Sequence, residues 1–213
     1  MTDTNAVPRP GKIVCVGRNY VEHVHEMGNV VPERPFLFFK PPSAVIGPGE
    51  AIVLPSASDR VEHEGEIGVV IGKALKAVDE DEALTGIGGI VCVNDVTARD
   101  LQKSDGQWTR AKGFDTFCPV GPRMVPLADL PDLDSLEVFC RVNGTERQRG
   151  RAGDMAFKIP EVVSYISHVM TLEHGDLIAT GTPAGVGPLL PGDVVEVEIP
   201  GVGVLRNSVI SGR

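Results

Sequence analysis

Residues 61–72 read VEHEGEIGVVIG, with carboxylates at every second position leading into an apolar stretch. Side chains alternate between the faces of a strand, so one long strand over 61–72 puts Glu62, Glu64 and Glu66 on a single face. The apolar continuation through Ile67, Val69, Val70 and Ile71 carries that strand into a core. Acids crowded together repel one another, and some stay protonated unless a cation compensates them. Oxygen-only ligands suit Mg²⁺ or Mn²⁺ rather than zinc. A solvated acidic face on an edge strand is the competing reading.

Apolar strands recur along the rest of the chain. Residues 12–17, 36–40, 51–54 and 88–96 read as strands, and 136–142 alternates into Asn143-Gly144, a strong hairpin signal. Strands return at 193–199 and 202–207. Helices are few and short. Asn19 caps one over 20–27 that stops at Gly28, and another spans 79–85. Ile159, Val162, Val163, Ile166 and Val169 mark the apolar side of a third, over 159–170. Residues 108–118 read mostly as loop. The 25 glycines and 17 prolines among 213 residues supply the turns that many short strands need and argue against a helical bundle. The fold class is therefore α+β, a single β-rich domain.

A net charge of −9 disfavours nucleic acid or an anionic membrane surface as partner. The longest uncharged run, 177–192, is broken by Gly and Pro and cannot span a membrane. The N-terminal residues lack the apolar core of a signal peptide. Cys15, Cys92, Cys118 and Cys140 form no CxxC pair and sit among apolar neighbours. They read as buried reduced thiols of a cytoplasmic protein.

Asp95 follows Asn94 at the end of an apolar strand, where a carboxylate can face a cleft or cap the next turn. With Glu64 and Glu66 it would make a three-carboxylate site with positions open to water or substrate. On the first helix, His23 and Glu26 are spaced i, i+3 and share a face. A carboxylate that orients a histidine and raises its basicity makes a general base. An incidental exposed pair is the alternative, and Glu22 could pair with His25. Lys112 lies among small and apolar neighbours, though a surface lysine is the default. The glycine at Thr180-Gly181-Thr182-Pro183 allows close backbone approach to a ligand, as would a plain turn.

Five segments in order, VGRNYVEHVHEMG at 16–28, HEGEIGVVIGK at 63–73, NDVTARDLQ at 94–102, WTRAKGFDTFCPVGP at 108–122 and TGTPAGVGP at 180–188, together resemble the fumarylacetoacetate hydrolase family. The single-domain length resembles its short acylpyruvase and oxaloacetate decarboxylase branch. The resemblance implies a mixed-sheet β-roll with a few short helices, assembled as a homodimer with Mg²⁺ or Mn²⁺ in the site. It divides the chain into a flexible tail at 1–10, a leading segment at 11–48 that carries the dyad, and a catalytic domain at 49–213. By position it makes Glu64, Glu66 and Asp95 the metal ligands, His23 and Glu26 the dyad that activates water, and Lys112 the active-site lysine. Gln102 would contact the reacting oxygen, and Arg18 and Thr182 would line the substrate pocket. Arg99 and Asp100 would brace a loop, and Glu62, without a counterpart, would sit at the rim. The implied activity is metal-dependent hydrolysis of the C3–C4 bond of an acylpyruvate, such as fumarylpyruvate or acetylpyruvate, to release pyruvate. Oxaloacetate decarboxylation or tautomerisation, and isomerisation of a 2-hydroxyhepta-2,4-diene-1,7-dioate-type diacid, are the alternatives. A non-catalytic metal-dependent binder would not need His23, Glu26 and Lys112. For a distal carboxylate of the substrate, Arg34, Lys40 and Arg60 are available, and spacing selects none of them.

Overall fold

The stretch over 61–72 is two strands, not one. The computed structural model describes residues 7–26, 28 and 30–212, with the backbone alone at His25. In it β-pairing lapses at Glu64, between Val61–His63 and Gly65–Ile71. The cause is a close crossing: a Cβ on Gly65 would lie 2.9 Å from the Cβ of Cys140. Only glycine lets the chain pass there from one sheet to another.

In chain order the strands are β1 (Ile13–Gly17), β2 (Phe36–Lys40), β3 (Val45–Ile46), β4 (Ala51–Leu54), β5 (Val61–His63), β6 (Gly65–Ile71), β7 (Ile87–Asn94) and β8 (Thr97–Ala98). They continue with β9 (Cys118–Val125), β10 (Glu137–Val142), β11 (Thr145–Arg151), β12 (Leu177–Ala179), β13 (Gly187–Pro188), β14 (Val194–Ile199) and β15 (Gly203–Ser211). The helices are α1 (Val21–Glu26), α2 (Glu80–Gly86), α3 (Arg99–Ser104), α4 (Thr109–Gly113) and α5 (Ile159–Val169). Seven strands form a mixed sheet in the order β2-β1-β12-β6-β7-β9-β3, and five form a second in the order β11-β10-β14-β15-β4. A small third sheet runs β13-β5-β8. The leading segment is thus built into the large sheet through β1, β2 and β3.

The large sheet is apolar on both faces, which is why β6 and β7 read as near-continuous apolar runs. On one face Ile67, Val69, Ile71, Ile90 and Cys92 pack with Val195, Val197 and Leu205 of the second sheet. On the other, Val70, Val91 and Val93 pack with Ile13, Cys15, Leu177 and Ala179. All four cysteines are buried and free.

Local chemistry sets most of the boundaries. The Asp79 carboxylate accepts from the Glu82 N–H at 2.8 Å and caps α2. Asn143 and Gly144, at φ 53° and 75°, make the tight turn between β10 and β11. Two expectations need correction. The region read as loop after Trp108 contains α4, closed by the Lys112 N–H donating to the Trp108 carbonyl at 2.9 Å, and it buries Ala111 and Lys112. Val169 is 58% exposed and leaves the apolar face of α5, whereas Ser167 is buried and its hydroxyl accepts from the Val78 N–H. Met27 and residues 1–6 lie outside the described residues.

The packing yields a contrast. Ile67→Ala should cost about 2–5 kcal/mol of unfolding free energy in urea denaturation. Val169→Ala, at the position the sequence pattern assigned to the apolar side of α5, should stay within about 0.5 kcal/mol.

Candidate active site

Register delivers the carboxylates. Gly65 pairs with Asn94 and Glu66 with Val93 in the antiparallel β6–β7 ladder, so Glu64 falls opposite Asp95. The Asp95 N–H donates to the Glu64 carbonyl at 2.8 Å and extends that ladder by one step. Glu66 lies two residues from Glu64 and so on the same face. One oxygen from each of Glu64, Glu66 and Asp95 lies within 4.8 Å of the others. Their residues are 5%, 2% and 0% exposed, which excludes the solvated edge-strand reading.

Burying carboxylates needs cations, and three buried ones are present. Lys112 Nζ donates to Glu64 Oε2 at 2.7 Å and to Asp95 Oδ2 at 2.6 Å. Lys40 Nζ donates to Asp95 Oδ1 at 2.6 Å and to the Val96 carbonyl at 2.9 Å. Arg99 reaches Glu64 through Nη2 at 2.5 Å, Glu62 through Nε at 2.7 Å and the Gln102 carbonyl oxygen through Nη1 at 2.6 Å. Burial by itself would raise Glu64, but Lys112 and then Arg99 outweigh it and hold the carboxyl well below the usual range. Burial works against a charged Lys112, yet Asp95 and Glu64 keep it above its ordinary value, so the side chain is an ammonium. Among the described residues Glu66 has no such partner, and its Oε2 accepts from the Gly181 N–H alone, at 2.8 Å. Burial pushes its carboxyl well up, and the charges of Asp95 and Glu64 add to the rise. Three converging oxygen donors, one of them short of a positive neighbour, fit a divalent cation such as Mg²⁺ or Mn²⁺.

The dyad forms as spacing suggests. His23 Nδ1 lies 3.0 Å from Glu26 Oε2. In the neutral ring, a proton on Nδ1 donated to this carboxylate leaves the lone pair on Nε2. The Gly185 N–H donates to both oxygens of Glu26, at 3.1 and 3.2 Å. Residues 181–185 therefore touch both halves of the site: Gly181 holds Glu66, and Gly185 holds Glu26. Gly185 has φ +98°, and a Cβ there would lie 2.0 Å from the Arg147 carbonyl oxygen, so the position requires glycine. Behind this strap, buried Gln148 donates to Thr182 Oγ1 at 2.7 Å and accepts from the Gly65 N–H at 3.0 Å.

A cavity of about 260 Å³ opens on the carboxylates. Arg18, His23, Glu64, Glu66, Asp95, Gln102, Lys112 and Thr182 all line it, and Glu26 stands behind His23. Arg99, Lys103, Phe38 and Trp108 line it as well. Asp100 braces a loop, accepting from Ser58 Oγ at 2.6 Å and the Asp59 N–H at 2.9 Å. Three readings change. Glu62 is 2% exposed and pairs with Arg99 and Arg60, so it is a buried support rather than a rim residue. Arg99 does more than brace a loop, since it ties Glu62, Glu64 and Gln102 together. Lys40 is committed to Asp95 and is no anchor for a substrate tail. The signal for Lys40 was a charge closing the apolar run FLFFK; Trp108 opens the segment at 108–122 that carries the resemblance, and no spacing rule singled out Trp108 or Lys103 as wall residues.

The sequence matches the fumarylacetoacetate (FAA) hydrolase C-terminal description over residues 12–210. The chain belongs to this enzyme family. It is 45% identical over 202 residues to a mitochondrial oxaloacetate tautomerase of Arabidopsis thaliana, covering 93% of this chain and 90% of that protein. It is 43% identical over 196 residues to a mitochondrial oxaloacetate decarboxylase of Dictyostelium discoideum, covering 90% and 89%. Among solved structures, the 5-carboxymethyl-2-hydroxymuconate delta-isomerase of Mycobacterium smegmatis superposes with a TM-score of 0.89 at 47% identity, covering 97% of this chain and 81% of that one. Among the described residues no helix is long and apolar enough to cross a membrane.

The raised Glu66 carboxyl has a measurable consequence. The folded protein keeps a proton that the unfolded chain releases near pH 4.3. Glu66 thus costs metal-free stability increasingly as pH rises from there through its folded value. Glu66→Gln should raise the Tm of metal-free protein, with a gap over wild type that widens between pH 5 and pH 8 in thermal melts. A lower Tm at all pH values would contradict this charge balance.

Proposed function

We propose that the chain is a divalent-metal-dependent enzyme acting on small 2-oxo acids with a carbonyl or carboxyl at C4, through the enolate of the 2-oxo acid. The observation that carries this reading is the Glu64, Glu66 and Asp95 cluster sharing one cavity with His23. A divalent cation at the cluster would supply positive charge to the substrate's carboxylate and C2 oxygen and lower the cost of the enolate.

The chain's own groups account for the remaining needs. His23 Nε2 takes or returns a proton, while Glu26 fixes the tautomer and stabilises the imidazolium that results. Lys112, held as an ammonium by two carboxylates, contributes charge rather than a base. Gln102 faces the cavity with its carbonyl oxygen engaged by Arg99, which leaves the NH₂ to donate to a substrate oxygen. In tautomerisation, His23 removes a C3 proton and the enolate oxygen gains one. In decarboxylation the C3–C4 bond breaks, its electron pair enters the enolate, carbon dioxide leaves and C3 is protonated afterwards.

The named relatives favour oxaloacetate as the substrate to test first. Hydrolysis of an acylpyruvate is the second reading, and the His23–Glu26 dyad favours it. There His23 deprotonates water, hydroxide adds at C4, and cleavage of C3–C4 releases the pyruvate enolate. We further propose a homodimer, supported by exposed Phe36 and Phe39 on the edge strand β2.

Metal-stripped and Mg²⁺- or Mn²⁺-restored protein should be assayed with oxaloacetate, acetylpyruvate and fumarylpyruvate, beside His23→Ala. Activity should return only with metal, and His23→Ala should lower kcat by about 10²–10⁴-fold. Full activity in chelator would overturn the metal reading, and an unchanged kcat in His23→Ala would overturn the role of the dyad.

A further inference from the structure

The inner end of the cavity has no cation to spare. Arg99, Lys112 and Lys40 are each paired to carboxylates at 2.5–2.7 Å. Two other cations line the same cavity, Arg18 and Lys103, and among the described residues neither forms an ion pair with a carboxylate. Lys103 is exposed on α3, next to Gln102, and Arg18 is half-buried after β1. Both stand where an acidic protein of net charge −9 would otherwise repel an anion.

Arg18 is held there at a cost. Its φ is +61°, in the left-handed region that a non-glycine residue adopts only against steric resistance. The preceding residue is closely packed. A Cβ on Gly17 would lie 3.0 Å from the Trp108 ring and 3.1 Å from the Phe36 ring, so the backbone passes tightly against these aromatics. The Arg18 guanidinium then lies 5.5 Å from the centre of the Phe36 ring. Stacking on an aromatic face orients a guanidinium while leaving its N–H groups free to bind a carboxylate.

We propose that Arg18 and Lys103 form an outer anion subsite that selects 2-oxo acids carrying a second, distal carboxylate. The proposal rests on the preceding reading, in which the 2-oxo acid head engages the Glu64, Glu66 and Asp95 end. It replaces Arg34, Lys40 and Arg60 as the tail-binding cations. Of these, Lys40 and Arg60 are paired to Asp95 and Glu62, and none of the three lines the cavity. A neutral-tailed 2-oxo acid of the same length gains nothing from the outer pair.

Calorimetric titration with unreactive probes tests this without relying on turnover. Mn²⁺-loaded protein is titrated with 2-oxoglutarate, with 2-oxopentanoate and with oxalate, which is too short to pass beyond the inner end. Wild type should prefer 2-oxoglutarate to 2-oxopentanoate by about tenfold or more, the scale of one charge-assisted contact. Lys103→Gln and Arg18→Gln should each cut that preference severalfold and leave oxalate affinity unchanged. Lys76→Gln, a surface control outside the cavity, should leave the preference intact. Equal affinity for the two five-carbon acids would overturn the subsite. So would a loss of oxalate affinity in Lys103→Gln as large as the loss for 2-oxoglutarate. Oxalate binding that ignores Mn²⁺, with the diacid preference intact, would instead overturn the metal reading and leave the subsite standing.

Discussion

Four carboxylates are buried in one small volume, and the architecture around them follows from making that tolerable. Glu62, Glu64, Glu66 and Asp95 are each no more than 5% exposed. Ionised carboxylates in a low-dielectric interior persist only when paired. Arg99 bridges Glu62 and Glu64, Lys112 bridges Glu64 and Asp95, and Lys40 completes Asp95. Among the described residues that chain of pairs stops short of Glu66, which keeps one backbone donor and a raised pKa. The imbalance is local and directional: it leaves one corner of the cluster short of positive charge, and that corner faces the cavity.

The same constraint joins elements that are distant in the chain. Strand pairing aligns Glu64 with Asp95, and a glycine crossing lets Glu64 sit between two sheets. The strap at 181–185 then ties the cluster to the dyad, with Gly181 on Glu66 and Gly185 on Glu26. Gln148 holds that strap against β6 from the second sheet. The His23–Glu26 pair on a short helix is thereby fixed relative to a carboxylate cluster on a sheet, the preorganisation that the proposed enolate chemistry requires.

Much of this was legible in the sequence because period-two spacing and i, i+3 spacing are local. Glu64 and Glu66 share a face, and His23 meets Glu26, as those rules require. The α+β class followed from apolar runs and turn residues. What the sequence hid was long-range. The break at Glu64 depends on Cys140, 75 positions from Gly65, pressing against a glycine. The burial of Glu62 depends on Arg99 folding back on it, and the commitment of Lys40 to Asp95 depends on the path of β2. The helical turn at 109–113 was masked by polar residues, because its stabilisation comes from burying Ala111 and Lys112 rather than from an apolar stripe. Lys103 looked like any surface lysine until the cavity placed it on the wall.

The central claim is that Glu64, Glu66 and Asp95 form a divalent-cation site. Titrating chelator-treated protein with Mn²⁺ and following the free ion by electron paramagnetic resonance tests it directly. The account predicts one tight site per chain in wild type, lost or severely weakened in Glu64→Gln, Glu66→Gln and Asp95→Asn alike. Absence of a tight site in folded wild type, or equal Mn²⁺ binding by wild type and all three variants, would contradict it.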